Sequence, residues 1–374
     1  MARVRLDIDS DIRKARTLPA WFYRSEEAHA WLRERLFARS WQLIAHARQL
    51  EGVLGGGGGG GGAWPFRFLP GCVDEPLLLT RDEVGAVRCL SNVCTHRAAT
   101  IVTAACTKLA GLRCPYHGRR FALDGRMLAM PEFDGAEGFP SEADDLPQLP
   151  LLGCGEFLFT ALDPAWPFAE LVEQVTELAG HLPWSDVELE PRGTTHYEFD
   201  ANWMLYLDNY LEGFHVPYVH PALAKTLEFD SYTSALGRWG NVQIALPKPG
   251  EPAIPLPPDA EPGAVAPAAL YFYLFPNIML NVYPWGVSLN VVEPLGVART
   301  RIRYEAWVWA PDLYDKGAGS GLAQVEREDQ EVVLRAQAGV RSRLYDRGRY
   351  SPRRETGVHQ FHRLLAEGWN AGLA

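Results

Sequence analysis

SNVCTHRAATIVTAACTKLAGLRCPYHGRRFALDG, residues 91–125, is the stretch that decides the fold. Within it, Cys94-Thr95-His96 and Cys114-Pro115-Tyr116-His117 each present one thiol and one imidazole on a short loop, with 17 residues between His96 and Cys114. Two cysteines and two histidines can hold zinc. They can also hold a [2Fe–2S] centre, with both thiolates on one iron and both imidazoles on the other. Zinc fingers more often pair Cys-x-x-Cys with His-x(3–5)-His. Here each loop carries both residue types, which suits two irons, because each loop can send its Cys to one and its His to the other. In a chain with 6 cysteines and 10 histidines, chance yields about 0.16 such half-motifs and about 0.03 for both together.

The flanks fit a small β domain. From about residue 42 to 160, short apolar runs alternate with turns, as in Pro76-Leu77-Leu78-Leu79-Thr80, Arg81-Asp82 and Val87-Arg88-Cys89-Leu90. Upstream, Ser25 with Glu26-Glu27 starts a helix, and Ala30, Leu32, Leu36, Trp41 and Leu43 continue its apolar marks, so residues 17–50 read as a helical lead-in. Gly55–Gly62 is an unbroken glycine run that reads as a flexible loop without packing information. Downstream, an amphipathic helix begins near Pro164 through Leu171, Val172, Val175 and Leu178 and leads into a second domain. Residues 247–267 hold eight prolines, a long loop that could lid a pocket. Strands are predicted over 270–290 and 299–309, and helix from about 320.

Composition narrows the class. With 47% hydrophobic and 22% charged residues, and Trp 12, Tyr 14 and Phe 16, the chain is globular with an aromatic-lined interior. A net charge of −10 argues against nucleic acid as a partner. The opening residues lack an apolar signal core, and Pro267–Leu289 is interrupted by Pro276, Asn277, Asn281 and Pro284, so no membrane segment is expected. Six cysteines are too sparse for a disulfide scaffold, which points to a reducing, cytoplasmic location.

A second metal centre is suggested by ANWMLYLDNYLEGFHVPYVHP, residues 201–221. In a continuous helix Asp208, Glu212 and His215 share one face at i, i+4 and i+7. Pro217 then breaks the helix, so the chain can bring His220 back towards His215. Aromatic flanks suggest burial, and buried carboxylates and imidazoles must be paired or metal-bound. Two histidines and one carboxylate are the ligand set of non-haem Fe(II) oxygenases, although the same groups can form a hydrogen-bond network without metal. In residues 320–341, Leu322, Val325, Val332, Val333, Ala336 and Val340 define an apolar face on which Asp329 falls. Glu326 lies nearer the edge of that face and competes with it, while Glu328 and Glu331 point away; for all three glutamates a solvated charged face is the better reading.

SNVCTHRAA and RCPYHGRRFALDGR resemble the two cluster loops of the Rieske iron–sulfur family. The disulfide between loops found in high-potential respiratory members is absent, since Ala99 and Tyr116 stand at those positions, so the likeness is to the soluble, lower-potential branch. Two departures stand out: Ala98 replaces the usual Gly after His-Arg, and Arg119 replaces a common Trp after His-Gly. Asn209-x-x-Glu212-x-x-His215-x4-His220, with Glu328-Asp329 and Gln337-Ala338-Gly339, is similar to Rieske non-haem iron oxygenase α subunits over nearly the whole chain. Most members have Asp where Glu212 stands, and Glu there resembles the choline and carnitine oxygenase branch.

The resemblance implies an α+β chain with a helical lead-in (1–41), an all-β Rieske domain (42–162) and a helix-grip (START-like) catalytic domain with an antiparallel sheet (163–374). It implies that Cys94, His96, Cys114 and His117 hold the [2Fe–2S] cluster and that His215, His220 and Asp329 hold a mononuclear Fe(II). Glu212, Asn209 and Asp208 would assist catalysis. Electrons would come from NAD(P)H through a reductase, with or without a ferredoxin, and O2 would be the co-substrate. The family closes into head-to-tail α3 homotrimers, some with β subunits, and Glu212 would join His117 of one chain to His215 of the next. Arg97, Lys108, Arg113, Arg119 and Arg120 would form a basic docking face for the reductant. Tyr271, Phe272, Tyr273, Phe275, Tyr283 and Trp285 could line a pocket for an aromatic ring or a quaternary ammonium. An electron carrier that has lost its second iron, and a ligand-binding module of the same helix-grip shape, are the rival readings.

Overall fold

A computed structural model describes residues 4–54, 61–82 and 84–372. Two compact units appear, one of residues 38–165 and one that joins 1–37 to 166–374. The first helix, α1 (Glu26–Arg35), is capped by Ser25, whose hydroxyl accepts from the Ala28 N–H at 3.1 Å. It stops well before the predicted end of the lead-in. Leu43 lies in strand β1 (Gln42–His46), where strand pairing rather than helical packing buries it.

In the 38–165 unit β1 is followed by α2 (Ala47–Leu54), β2 (Gly61–Phe68), β3 (Glu75–Arg81), β4 (Val87–Ser91), β5 (Cys106–Leu109) and β6 (Leu112–Arg113). Then come β7 (Arg120–Phe121), β8 (Met127–Ala129), β9 (Gln148–Leu149), β10 (Leu151–Cys154) and β11 (Phe157–Thr160). They form antiparallel sheets of order β5-β2-β3-β4-β9, β1-β11-β10 and β6-β7-β8. Leu78, Leu90, Phe121 and Leu123 fill a core that also contains Cys94 and Cys114. Part of the glycine run packs here, contrary to expectation. A Cβ on Gly61 would lie 2.0 Å from Leu123 Cδ1, and one on Gly62 would lie 2.1 Å from the Val53 carbonyl oxygen, so only glycine fits at either. Residues 55–60 of the run lie outside the described residues.

The other unit continues with α3 (Phe168–Ala179), β12 (Glu188–Phe199), α4 (Trp203–Tyr210), α5 (Val216–Val219), β13 (Thr233–Leu236) and β14 (Gly240–Ala245). β15 (Ala269–Leu274), β16 (Ile278–Tyr283), β17 (Gly286–Gly296), β18 (Arg299–Val308), α6 (Leu322–Gly339) and α7 (Thr356–Ala371) complete it. The strands form one seven-stranded antiparallel sheet, β12-β18-β17-β16-β15-β14-β13. Every residue of β16 is buried, which explains why its sequence lacks the alternation of a half-solvated strand. The N-terminal segment packs on this unit: Trp21, Phe22 and Trp31 surround Trp369 at ring separations of 6.0, 5.4 and 5.3 Å. No helix among the described residues is long and apolar enough to cross a membrane.

Candidate functional site

The two Cys–His loops have the same backbone design. In the first, the Ala98 N–H donates to Cys94 O at 3.0 Å and the Cys94 N–H to Ala99 O at 2.9 Å. In the second, the Gly118 N–H donates to Cys114 O at 3.1 Å and the Cys114 N–H to Arg119 O at 2.8 Å. Ala98 (φ 55) and Gly118 (φ 75) therefore occupy equivalent left-handed positions, and the Ala98 Cβ is the strained one. Asn92 closes the first loop, donating to Val102 O at 2.7 Å and accepting from the Val102 N–H at 2.9 Å.

These turns bring like with like. The Cys94 and Cys114 thiols are buried in one core cluster. The His96 and His117 rings sit 4.8 Å apart. Burial, reinforced by Cys114, pushes the Cys94 thiol up, while burial and then His117 push His96 down. His117 Nδ1 is buried without a protein partner. Paired thiols, paired imidazoles and an orphaned ring nitrogen fit a two-iron centre.

Arg119 is not part of a docking face. Its side chain is 2% exposed and bound to Asp144, whereas Arg97, Lys108, Arg113 and Arg120 are exposed.

In the other unit, α4 is capped by Asn202, whose side chain accepts from the Met204 N–H at 2.9 Å, and ends at Tyr210. The continuous helix expected through His215 does not form. Residues 211–215 turn, and Pro217 sits in the first turn of α5 instead of breaking a helix. Asp208 consequently leaves the face it was expected to share. Its carboxylate accepts from Tyr23 Oη and pairs with His362 Nε2, each at 2.8 Å, and it is absent from the residues lining the cavity.

His215, His220 and Asp329 do converge, with one ligand atom from each within 4.8 Å of the others. His215 Nδ1 lies 2.8 Å from Glu212 Oε1, and its Nε2 is 3.5 Å from Asp329 Oδ1. His220 Nδ1 lies 2.8 Å from Glu328 Oε2, and its Nε2 is 2.9 Å from the same Asp329 oxygen. Each imidazole thus has a carboxylate at Nδ1 and turns Nε2 to the centre, the arrangement that fixes a metal-binding tautomer. Burial lowers the pKa of His220, but bonds to Asp329 and Glu328 outweigh this and hold it above the ordinary value. Asn209 Nδ2 donates to Asp329 Oδ1 at 2.5 Å. Glu328, read from sequence as solvated, is the residue that was missed, since helical periodicity does not reveal that His220 reaches it.

Glu326 is not a solvated charge either. Its carboxylate accepts from Tyr206 Oη at 2.6 Å, and burial together with Asp329 pushes its pKa well above the carboxylate range. Glu331 is exposed beside Arg335.

The triad lines a cavity together with Tyr206, Tyr210, Tyr232, Tyr271, Tyr283 and Glu326. Sheet register supplies its floor: Gln243, Tyr271, Asn281 and Ser288 are successive cross-strand partners, one from each of β14 to β17, and all line the cavity. Of the six aromatic residues expected in the pocket, only Tyr271 and Tyr283 reach it. Phe272, Tyr273, Phe275 and Trp285 are core: Phe272 faces the opposite side of β15 from Tyr271, Tyr273 lies two residues further along the strand, and Phe275 and Trp285 fall beyond the ends of β15 and β16. No described residue of 247–267 lines the cavity, so the lid expectation has no support.

A two-centre arrangement of this kind defines an iron oxygenase with an electron-accepting cluster. Residues 68–143 match the Rieske [2Fe-2S] domain, and residues 186–369 match the ring hydroxylating alpha subunit (catalytic domain). The chain is a Rieske non-haem iron oxygenase α subunit, and its family's cofactors are the Rieske cluster, a mononuclear iron and O2. It is 29% identical over 372 residues to the carnitine monooxygenase oxygenase subunit of Escherichia coli (strain K12), covering 95% of this chain and 94% of that one. It is 26% identical over 374 residues to the chloroplastic choline monooxygenase of Arabidopsis thaliana, covering 95% and 83%. The fold matches the quaternary ammonium Rieske monooxygenase CntA in complex with L-carnitine at TM-score 0.73, with 21% identity and 98% and 99% coverage. Naphthalene 1,2-dioxygenase from Rhodococcus sp. bound to indole matches at TM-score 0.69, with 19% identity and 94% of each chain covered.

Proposed function

We propose that this chain is the terminal oxygenase of a system that oxidises a small quaternary ammonium compound at a carbon next to nitrogen, with electrons from NAD(P)H delivered by a reductase, directly or through a ferredoxin. The observation that carries this reading is the cavity wall: five tyrosine rings and the Glu326 carboxylate beside the His215–His220–Asp329 triad. A tyrosine face attracts a desolvated ammonium by about 0.5–2 kcal/mol, an attraction a neutral arene lacks, and a bound cation would favour the ionised form of Glu326 that burial and Asp329 otherwise disfavour. The named activities of the carnitine and choline relatives agree with it.

His215, His220 and Asp329 would hold the iron, and Cys94, His96, Cys114 and His117 the cluster. When bound, the iron supplies a site for O2 and the cluster supplies single electrons. Glu212 and Glu328 hold the two imidazoles in one tautomer, and Asn209 fixes the Asp329 oxygen. Asp208 is outside this set, as a strut between Tyr23 and His362.

We also propose a head-to-tail homotrimer in which Glu212 connects His215 to His117 of a neighbouring chain. Inter-subunit electron transfer is described for a quaternary ammonium Rieske monooxygenase of the same fold. The exposed Tyr116 beside His117, and Phe214 and Tyr218 beside His215, are apolar surface of the kind an interface covers. Oxygen uptake with a surrogate reductase, over a panel of trimethylammonium compounds and neutral arenes, tests the substrate reading. Uptake is expected with the ammonium compounds, and uptake with arenes alone would overturn it.

A further inference from the structure

Arg119 is one of the largest fully buried side chains among the described residues, and it lies beside a cluster loop. Its Nη2 is 2.6 Å from Asp144 Oδ1, and its Nη1 donates at 2.9 Å to the hydroxyl of Thr95, which stands between Cys94 and His96. That hydroxyl in turn donates to Asp144 O at 2.7 Å. Asp144 is pinned from behind, its Oδ2 accepting from the Ser141 N–H at 2.9 Å and the Ser141 hydroxyl at 3.1 Å. The guanidinium packs over Phe121 and Phe139, at 5.9 and 5.3 Å from their centroids. One buried cation therefore spans both cluster loops. It acts on Cys94 and His96 as a nearby positive charge, and the Asp144 carboxylate stands one hydrogen bond further out.

We propose that Arg119 and Asp144 form an oriented charge pair that sets the reduction potential of the cluster, with Arg119 raising it and Asp144 holding it down. This rests on the cluster assignment above. With two ferric ions, two sulfides, two thiolates and two neutral imidazoles the oxidised centre carries no net charge. One added electron makes it an anion. A fixed cation at short range in a poorly screened interior stabilises the reduced state, and an anion behind that cation offsets part of the effect. Arg119 stays charged throughout, because a guanidinium does not deprotonate in proteins. It is a positioning residue and touches no substrate.

The test is the midpoint potential of the cluster at fixed pH, measured by voltammetry on Arg119→Met, Arg119→Lys and Asp144→Asn holoenzyme. The electron paramagnetic resonance signal of the reduced centre would report whether the ligands are intact. The expected result is a lower potential for Arg119→Met, a higher one for Asp144→Asn and a nearly unchanged one for Arg119→Lys, with the signal preserved. A purely structural role would move Arg119→Met and Asp144→Asn in the same direction or not at all, and either outcome overturns the proposal. If Arg119→Met loses its cluster, the other two variants decide. An upward shift in Asp144→Asn with Arg119→Lys unchanged supports the charge pair, and a downward or absent shift in Asp144→Asn sinks it. If all three variants fail to assemble a cluster, Arg119 and Asp144 are a structural clamp and the proposal falls. Loss of the [2Fe–2S] spectrum from the unsubstituted protein would instead count against the cluster assignment.

Discussion

The cluster loops and the iron triad place their metal-binding groups by opposite means. At the loops, backbone hydrogen bonds do the work: one turn is built twice, and each copy presents a Cys and a His from neighbouring positions. At the triad, side chains from segments more than a hundred residues apart are aimed by other side chains, Glu212 and Glu328 behind the imidazoles and Asn209 on the carboxylate. A site built from backbone tolerates much side-chain change outside its ligands. A site built from carboxylate–imidazole pairs is sensitive one residue further out.

The largest test separates the two sites. Cys114→Ala should bleach the protein and lower its iron from about three per chain to about one, whereas Asp329→Ala should keep the visible spectrum, fall to about two and lose turnover. Mixed assemblies of the two variants should recover partial activity if electrons cross between subunits. Hybrids that form and stay inactive would break that route.

The next effect concerns the outer carboxylates. Glu328→Ala should weaken iron binding roughly 10–100-fold, as read by chelator competition, because it removes the partner of buried His220. Glu212→Ala should also weaken iron binding through His215, yet at saturating iron leave both metal sites filled while stopping reoxidation of the cluster by substrate and O2 in single-turnover mixing. If Glu328→Ala binds iron normally, the contrast drawn between backbone and side-chain construction fails.

The smallest effect compares the twin turns. Ala98→Gly should stabilise the fold by about 0.5–1 kcal/mol, since it removes a Cβ from a left-handed residue at some cost in chain entropy. Gly118→Ala should cost about the same, because a Cβ there would meet nothing closer than 3.5 Å and only the backbone conformation objects. Urea midpoints of the holo-proteins would measure both.

The cluster loops were legible in the sequence because everything that shapes them is local. A Cys, a His and a left-handed position recur at nearly the same offsets, and the departure at Ala98 falls on the residue with φ 55. The burial of Asp329 was legible in part: the predicted apolar face of α6 included Val333, but the buried row is Asp329, Val333 and Gln337, whereas Ala336 of that face is exposed. Asp208 was misplaced because the helix was carried past Tyr210, where the chain actually turns. Glu328 and Glu326 were misread because a carboxylate within a charged helical run looks solvated until His220 and Tyr206 are brought to it.

The sequence by itself therefore offered the candidate metal-binding residues, through local spacing at the two Cys–His loops and through family resemblance for the iron triad, where helical periodicity left Asp329 and Glu326 in competition. Tertiary structure decided the rest: which carboxylates stand behind the imidazoles, and that Arg119 is buried on Asp144. It also decided that Gln243, Tyr271, Asn281 and Ser288 line up across four strands to floor the cavity. Cross-strand register and helix docking pair residues far apart in the chain, and a buried charge becomes tolerable only when such a pairing supplies its partner.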